Sequence, residues 1–128
     1  MAGRRQQRVH RAVDRAEAAT GLQFCVYLGG TAEEDPRALA ERLFGDTHPA
    51  VLVMVAPDAR RVEILTDPTV RERIPDAACA TAIERMRPAL RHRRFDRALV
   101  DAITHLAAVA GPGPETGREL PDVVDERD

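Results

Sequence analysis

Four acidic side chains follow the two apolar segments of the sequence that are best suited to form strands. Glu33, Glu34 and Asp35 come after the first of these segments, and Asp58 follows the apolar residues 50–56. Because ligands of open parallel sheets bind at the carboxyl ends of the strands, these carboxylates are candidate ligands for calcium or magnesium. A metal ion held there would activate water against a phosphate ester. The competing interpretation, which we favour, is a solvated loop whose acids stabilise the N-terminus of the next helix.

A concentration of arginines is the second feature with chemical potential. Six lie within thirteen positions around Pro88, and we call them the arginine cluster: Arg85, Arg87, Arg91, Arg93, Arg94 and Arg97. Four further arginines near the N-terminus would extend this basic surface: Arg4, Arg5, Arg8 and Arg11. A nucleic-acid surface would also need interleaved aromatic residues, and the pI of 6.1 is acidic. The cluster therefore favours docking of an acidic protein partner, or of acidic residues of the chain itself.

The other reactive side chains form no catalytic pattern. The sequence contains neither serine nor lysine, which excludes a serine nucleophile and Schiff-base chemistry. Its four histidines lack the spacing of a zinc site: His10, His48, His92 and His105. Asp101 and His105 are four residues apart on a predicted helix and can touch, most simply as a surface pair. Cys25 and Cys79 lie in apolar runs, where free cysteines act as small hydrophobic residues.

The first half of the sequence predicts a helix, a strand, a second helix and a second strand. Apolar residues recur at helical spacing over residues 4–19, and alternation over residues 22–28 predicts a strand. Residues 31–34 have capping-box spacing, and Pro36 suits the first turn of the helix that follows. All of residues 50–56 are apolar, as expected of a strand that is covered on both faces.

A hairpin follows this apolar strand. Residues 57–60 carry the signature of a type I turn, and residues 61–66 return as an antiparallel strand. Asp67 can cap a short helical turn that has Pro68 at its first position.

Two helices complete the predicted elements. The first starts at Pro75 and places one apolar stripe inside: Cys79, Ile83, Met86 and Leu90. Pro88 lies within it and predicts a kink or a break. The last helix covers residues 96–110 and ends at Gly111.

Together these elements predict one small α/β domain over residues 1–110. Its sheet is small and mixed, with about three strands in the order 1-2-3, and helices flank it in a three-layer αβα sandwich. Residues 111–128 hold glycine, proline and charge with little to bury, so we expect a disordered acidic tail. Because no signal peptide or apolar span is evident, we expect a cytoplasmic protein.

The order of these elements, together with a set of short motifs, resembles the TPM domain family over about residues 8–110. The motifs are residues 20–23 (TGLQ), 35–38 (DPRA), 40–44 (AERLF), 50–53 (AVLV), 60–64 (RRVEI), 74–76 (IPD), Pro88 and 95–99 (FDRAL). The similarity is closest to a cytoplasmic branch of unassigned function in high-GC bacteria. It implies the sandwich fold, and some family members are phosphatases or calcium binders.

Two loops of this chain depart from the glycine-rich patterns that are common in that family. These loops are residues 45–49 and residues 66–68. We therefore interpret the chain as a non-enzymatic protein-interaction module, with a metal-dependent phosphatase as the alternative. We expect no cofactor under the first interpretation, and a calcium or magnesium ion under the second.

Overall fold

The computed structural model describes residues 3–29 and 35–113. Its elements follow in the order α1 (Gly3–Thr20), β1 (Phe24–Leu28), α2 (Pro36–Thr47), β2 (Val51–Ala56), β3 (Arg61–Thr66), a 3-10 turn (Pro68–Val70), α3 (Asp76–Arg91) and α4 (Phe95–Ala110). Within these residues, no helix is long and apolar enough to cross a membrane.

The sheet has the predicted strand order, β1-β2-β3. β1 pairs parallel with β2, so that Val26 lies opposite Val53. β3 pairs antiparallel with β2 and places Ile64 opposite Val53 from the other side. Every residue of β2 is buried, because neighbouring strands cover both edges and helices cover both faces. This burial explains the uninterrupted apolar run.

Helices lie on both faces of the sheet and form the predicted three layers. On one face, Leu39 and Ala40 of α2 pack against Leu52 and Met54 of β2. On the opposite face, helices α1, α3 and α4 cover the alternate β2 residues: Val51, Val53 and Val55. The alternation of β2 side chains thus divides the core into a small and a large cluster.

The sequence predicted a kink or a break at Pro88. Helix α3 does not break there and continues to Arg91. Proline removes the hydrogen bond to the carbonyl of residue i−4, which is Glu84 here. Both Pro88 and Glu84 are exposed, so water can satisfy this carbonyl. On the inner stripe, Met86 is fully buried as predicted, but Ile83 is only half-buried.

The helix and strand ends depart slightly from the sequence prediction. Asp35 caps α2, since its carboxylate accepts a hydrogen bond from the Arg37 amide at 3.4 Å. The capping box predicted at residues 31–34 lies outside the described residues. Helix α1 ends as predicted at Gly21, which adopts a φ of 75° and whose amide donates to the Glu17 carbonyl. Residues 114–128, most of the predicted acidic tail, also lie outside the described residues.

Candidate functional site

A cavity opens at the carboxyl end of β2, where the strand order predicts a binding site. It has a volume of about 610 Å³ and apolar walls that include Val62, Leu90 and Phe95. Five arginines from three parts of the chain line it: Arg60, Arg61, Arg87, Arg91 and Arg93. We call this site the arginine cavity.

Two of these arginines hold a left-handed backbone conformation. Arg60 closes the β2–β3 turn with a φ of 54°, and its amide donates to the Pro57 carbonyl at 3.1 Å. Arg93, in the turn between α3 and α4, has a φ of 56°. This conformation costs a residue with a Cβ about 1–2 kcal/mol. Such strain is often concentrated at functional sites, and here it occurs twice around one cavity.

Acidic neighbours neutralise only part of the positive charge of the cavity. Arg61 binds Glu63 at 2.7 Å, and Arg87 binds the exposed Glu84 at 3.1 Å. The Arg93 guanidinium lies 5.2 Å from the centre of the Phe95 ring, within reach of a cation–π contact. Arg60 and Arg91 form no ion pair with any described residue. The cavity therefore keeps an excess of positive charge.

Glu63 is the buried member of this charge network and was not among the predicted site residues. Its side chain is 9% exposed and accepts hydrogen bonds from Arg37 at 3.1 Å and from Arg61 at 2.7 Å. The hydrogen bond to Glu63 is the main cause that raises the pKa of Arg37. An acid inside an otherwise apolar, arginine-flanked strand was the available signal. Glu63 thus links α2 to the strand that borders the cavity.

The structure distributes the arginine cluster over more than one surface. All six side chains are exposed, but only Arg87, Arg91 and Arg93 line the cavity. Arg97 lies on a groove between α1 and α4, where its Nε is 3.7 Å from Asp101. The charge of Arg85 helps to lower the pKa of the half-buried His105. The remaining member, Arg94, is the residue before α4, and its carbonyl accepts from the Ala98 amide.

Two arginines of the cavity were not among the predicted site residues. Arg60 and Arg61 are separated from the arginine cluster by more than twenty residues in sequence, and only the fold brings them together. Their position just after the β2 carboxyl end was the signal that could have found them.

The structure describes two of the four predicted carboxylate ligands. The Asp35 side chain caps α2, and Asp58 is exposed in the β2–β3 turn. Glu33 and Glu34 lie outside the described residues. Across residues 3–29 and 35–113, no three histidine, cysteine or acidic side chains form a group that could hold a metal ion.

The remaining candidates have simple structural environments. Both cysteines are free and half-buried, and burial raises the pKa of the Cys25 and Cys79 thiols, which makes them less nucleophilic. Burial and the charge of Arg85 lower the pKa of His105. Asp101, its predicted neighbour, forms an ion pair with Arg97.

By its fold, this protein is a three-layer α/β sandwich with a mixed sheet of strand order 1-2-3. A basic cavity lies at the ends of its strands. The family model of the TPM domain matches residues 2–109, and the chain therefore belongs to the TPM domain family. This result confirms the resemblance found in the sequence. No curated protein matches the chain significantly.

Two solved structures share the fold. The NMR structure of the BA42 protein from Bizionia argentinensis, a psychrophilic bacterium, has a TM-score of 0.74 and 22% identity over 88% of this chain and 83% of its own. The N-terminal domain of the cg2496 protein from Corynebacterium glutamicum has a TM-score of 0.69 and 14% identity, over 87% of this chain and 74% of its own. At these identities the similarity concerns the fold alone.

Proposed function

We propose that this TPM domain is a non-enzymatic interaction module whose arginine cavity binds an acidic segment of a protein partner. The observation that carries the proposal is the convergence of five arginines, from the β2–β3 hairpin, α3 and the α3–α4 turn, on one concave site. Arginine suits this role because its planar guanidinium group binds carboxylates through two parallel hydrogen bonds.

The charges of the site support a partner with several carboxylates. Arg60 and Arg91 have no acidic partner among the described residues, and Arg93 is paired only with an aromatic ring. A single carboxylate would leave most of this charge uncompensated, whereas a run of acidic residues would match it. The apolar walls at Val62 and Leu90 give room for the aliphatic parts of such a segment.

The proposal is tested with an octaglutamate peptide and two full-chain variants. We expect the double substitution Arg91→Gln and Arg93→Gln to weaken peptide binding by about three- to tenfold, because each exposed ion pair contributes about 0–1 kcal/mol. The matched control is Arg71→Gln, an exposed arginine that does not line the cavity. Fluorescence anisotropy measures the affinities, and proteins captured from the native cell should show the same dependence on the two variants. Equal binding by the double variant and the unsubstituted chain would refute the proposal.

A metal-dependent phosphatase is the second candidate, and the location of the cavity favours it. The site lies at the carboxyl end of a parallel strand, and its arginines would suit the phosphate group of an ester substrate. The four candidate ligands would then be Glu33, Glu34, Asp35 and Asp58. Hydrolysis of para-nitrophenyl phosphate is measured with magnesium, calcium or manganese, for the unsubstituted chain and for Asp58→Asn. Metal-dependent turnover that Asp58→Asn abolishes would replace the interaction role by this one.

A further inference from the structure

A second groove runs between α1 and α4, on the side of the molecule away from the sheet. Its volume is about 720 Å³. Small and apolar side chains form the floor: Ala12, Ala16, Ala19, Val100 and Ala107. Four arginines stand along it: Arg8, Arg11, Arg15 and Arg97. Three of these arginines form a row on α1, whereas α4 contributes Arg97 and the acidic Asp96. An apolar floor beside a row of arginines is suited to a narrow, acidic stretch of chain that also carries a few apolar residues.

The two helices that form the groove are parallel, and the described chain ends at one end of it. Arg8 binds Asp96 at 3.5 Å near the two N-terminal ends. At the opposite ends, Arg73 donates to the carbonyls of Thr20 at 2.9 Å and Gly111 at 2.7 Å. The chain therefore leaves α4 beside the Ala19 and Ala107 end of the groove.

We propose that residues 114–128 of the acidic tail occupy the α1–α4 groove, running in the direction opposite to α4. The segment carries two arginines and six acidic residues, whose charge is complementary to the arginines of the groove: Glu115, Glu119, Asp122, Asp125, Glu126 and Asp128. The segment also has three apolar residues that suit an apolar floor: Leu120, Val123 and Val124.

Length and charge both support this occupant. From Ala107 to Asp96 the groove follows about 16 Å of helix, a distance that about five extended residues span. The segment has three times that number, so it reaches the whole groove without strain. Arg11 and Arg15 form no ion pair with any described residue and are available to it.

This placement differs from docking on the whole arginine cluster, which the sequence suggested. Arg85, Arg87 and Arg91 lie on α3, whereas only Arg97 of the cluster borders the groove. Occupation of the groove would remove Arg97 from an outside acidic partner and leave the arginine cavity open. The docked segment therefore leaves the proposed partner site free, and its docking does not depend on the identity of any partner.

The test uses the full chain and a full-length variant whose six acids in the segment are replaced by the matching amides. NMR amide shifts are compared at an ionic strength of about 0.01 M, where the screening length is about 30 Å, and again at about 1 M, where it is about 3 Å. We expect differences at Ala12, Ala16, Val100 and Ala107 at low salt, and a loss of at least about half of each difference at high salt. The amide variant keeps every described residue, so folding is preserved.

A matched pair of charge variants separates the groove from general electrostatics. Arg11→Gln with Arg15→Gln should reduce the low-salt differences at least twofold, whereas Arg4→Gln with Arg5→Gln, on the same helix outside the groove, should not. Absence of any difference at the groove at low salt would overturn the proposal. It would equally be overturned by differences confined to residues 85–94, or by equal effects of the two variant pairs. Since no partner is added, these outcomes are independent of the proposed function.

Discussion

Arg73 shows how one side chain can hold three distant parts of this fold together. Its guanidinium donates to the carbonyls of Thr20, Ala110 and Gly111, at 2.7–3.3 Å. These carbonyls lie at the C-terminal ends of α1 and α4, where backbone acceptors lack helical partners and the helix dipole favours a cation. The same arginine therefore satisfies both helix ends and fixes the turn that follows β3.

We expect Arg73→Gln to lower the free energy of unfolding by about 2 kcal/mol, because hydrogen bonds to charged groups contribute about 1.5–3 kcal/mol each and these are partly exposed. For a domain of this size the thermal midpoint should fall by about 8 °C. Arg73→Lys should recover less than half of the loss, since lysine cannot bridge three acceptors as the planar fork does. The exposed Arg71→Gln is the control and should change the midpoint little. A midpoint for Arg73→Gln equal to that of the control would show that these contacts do not stabilise the fold.

His105 on α4 is a partly buried histidine whose pKa is lowered. Burial is the larger cause that lowers its pKa, and the positive charge of Arg85 adds to it. The unfolded chain then binds a proton more readily than the folded one, so stability is full above the unfolded pKa of about 6.5 and falls as the pH decreases below it. His105→Gln should flatten the dependence of unfolding free energy on pH in this range. Arg85→Gln should raise the pKa of His105 only partway, as an NMR titration would show, because burial remains. A pKa of His105 at or above 6.5 in the unsubstituted chain would contradict this account.

At the scale of elements, the residues on the inner stripe of α3 differ in how deeply they are buried. Met86 is fully buried, whereas Ile83 is half-buried at the side of the same stripe. We expect Met86→Ala to cost about 2–5 kcal/mol through a cavity, and Ile83→Ala only about 1–2 kcal/mol, since water or neighbouring side chains can fill part of its space. Urea unfolding of both variants measures the order. A greater loss for Ile83→Ala would mean that the stripe is rotated relative to this structure.

The sequence best predicted the elements whose bounds are determined by their own residues and their immediate neighbours. The bounds of β3 are correct because turn residues precede it and the Asp67-Pro68 cap follows it, and the Asp67 carboxylate accepts from the Thr69 amide at 2.9 Å as expected. Helix α3 passes Pro88 because that residue faces water, which spacing alone could not reveal. The half-burial of Ile83 depends on the packing angle between α3 and α4, which is a property of the assembled layers.

The candidate site was predicted less well than the fold, for a physical reason. The strand-end rule pointed to the edge of the sheet where the cavity lies, although it was applied to carboxylates, and Arg87, Arg91 and Arg93 were in the predicted arginine cluster. The contribution of Arg60 and Arg61 depends on the β2–β3 hairpin and the end of α3 bordering the same cavity, which no local pattern encodes. A side chain from a distant segment joins such a site only after the layers have packed.

At the scale of the whole molecule, the arginine cavity implies a conflict between stability and binding. Like charges gather there around a strained turn, and each feature opposes folding while favouring an anionic ligand. Arg60 combines both costs, because it has a φ of 54° and no acidic partner among the described residues. Arg61 differs from it, since Glu63 binds its guanidinium at 2.7 Å.

Arg60→Gly should therefore stabilise the fold while weakening the binding of an acidic ligand. We expect a gain of about 0.5–1 kcal/mol, as glycine relieves the left-handed strain but loses more entropy on folding. Affinity for the octaglutamate peptide should fall up to about fivefold, since one exposed charge contributes about 0–1 kcal/mol. Urea unfolding and fluorescence anisotropy measure the two effects on the same variant. Arg61→Gly is the control and should destabilise the fold, because among the described residues it leaves the buried Glu63 with Arg37 alone as an ion-pair partner. If Arg60→Gly lowered the free energy of unfolding, the left-handed conformation of Arg60 would not destabilise the fold. The proposed conflict between folding and binding would then be refuted.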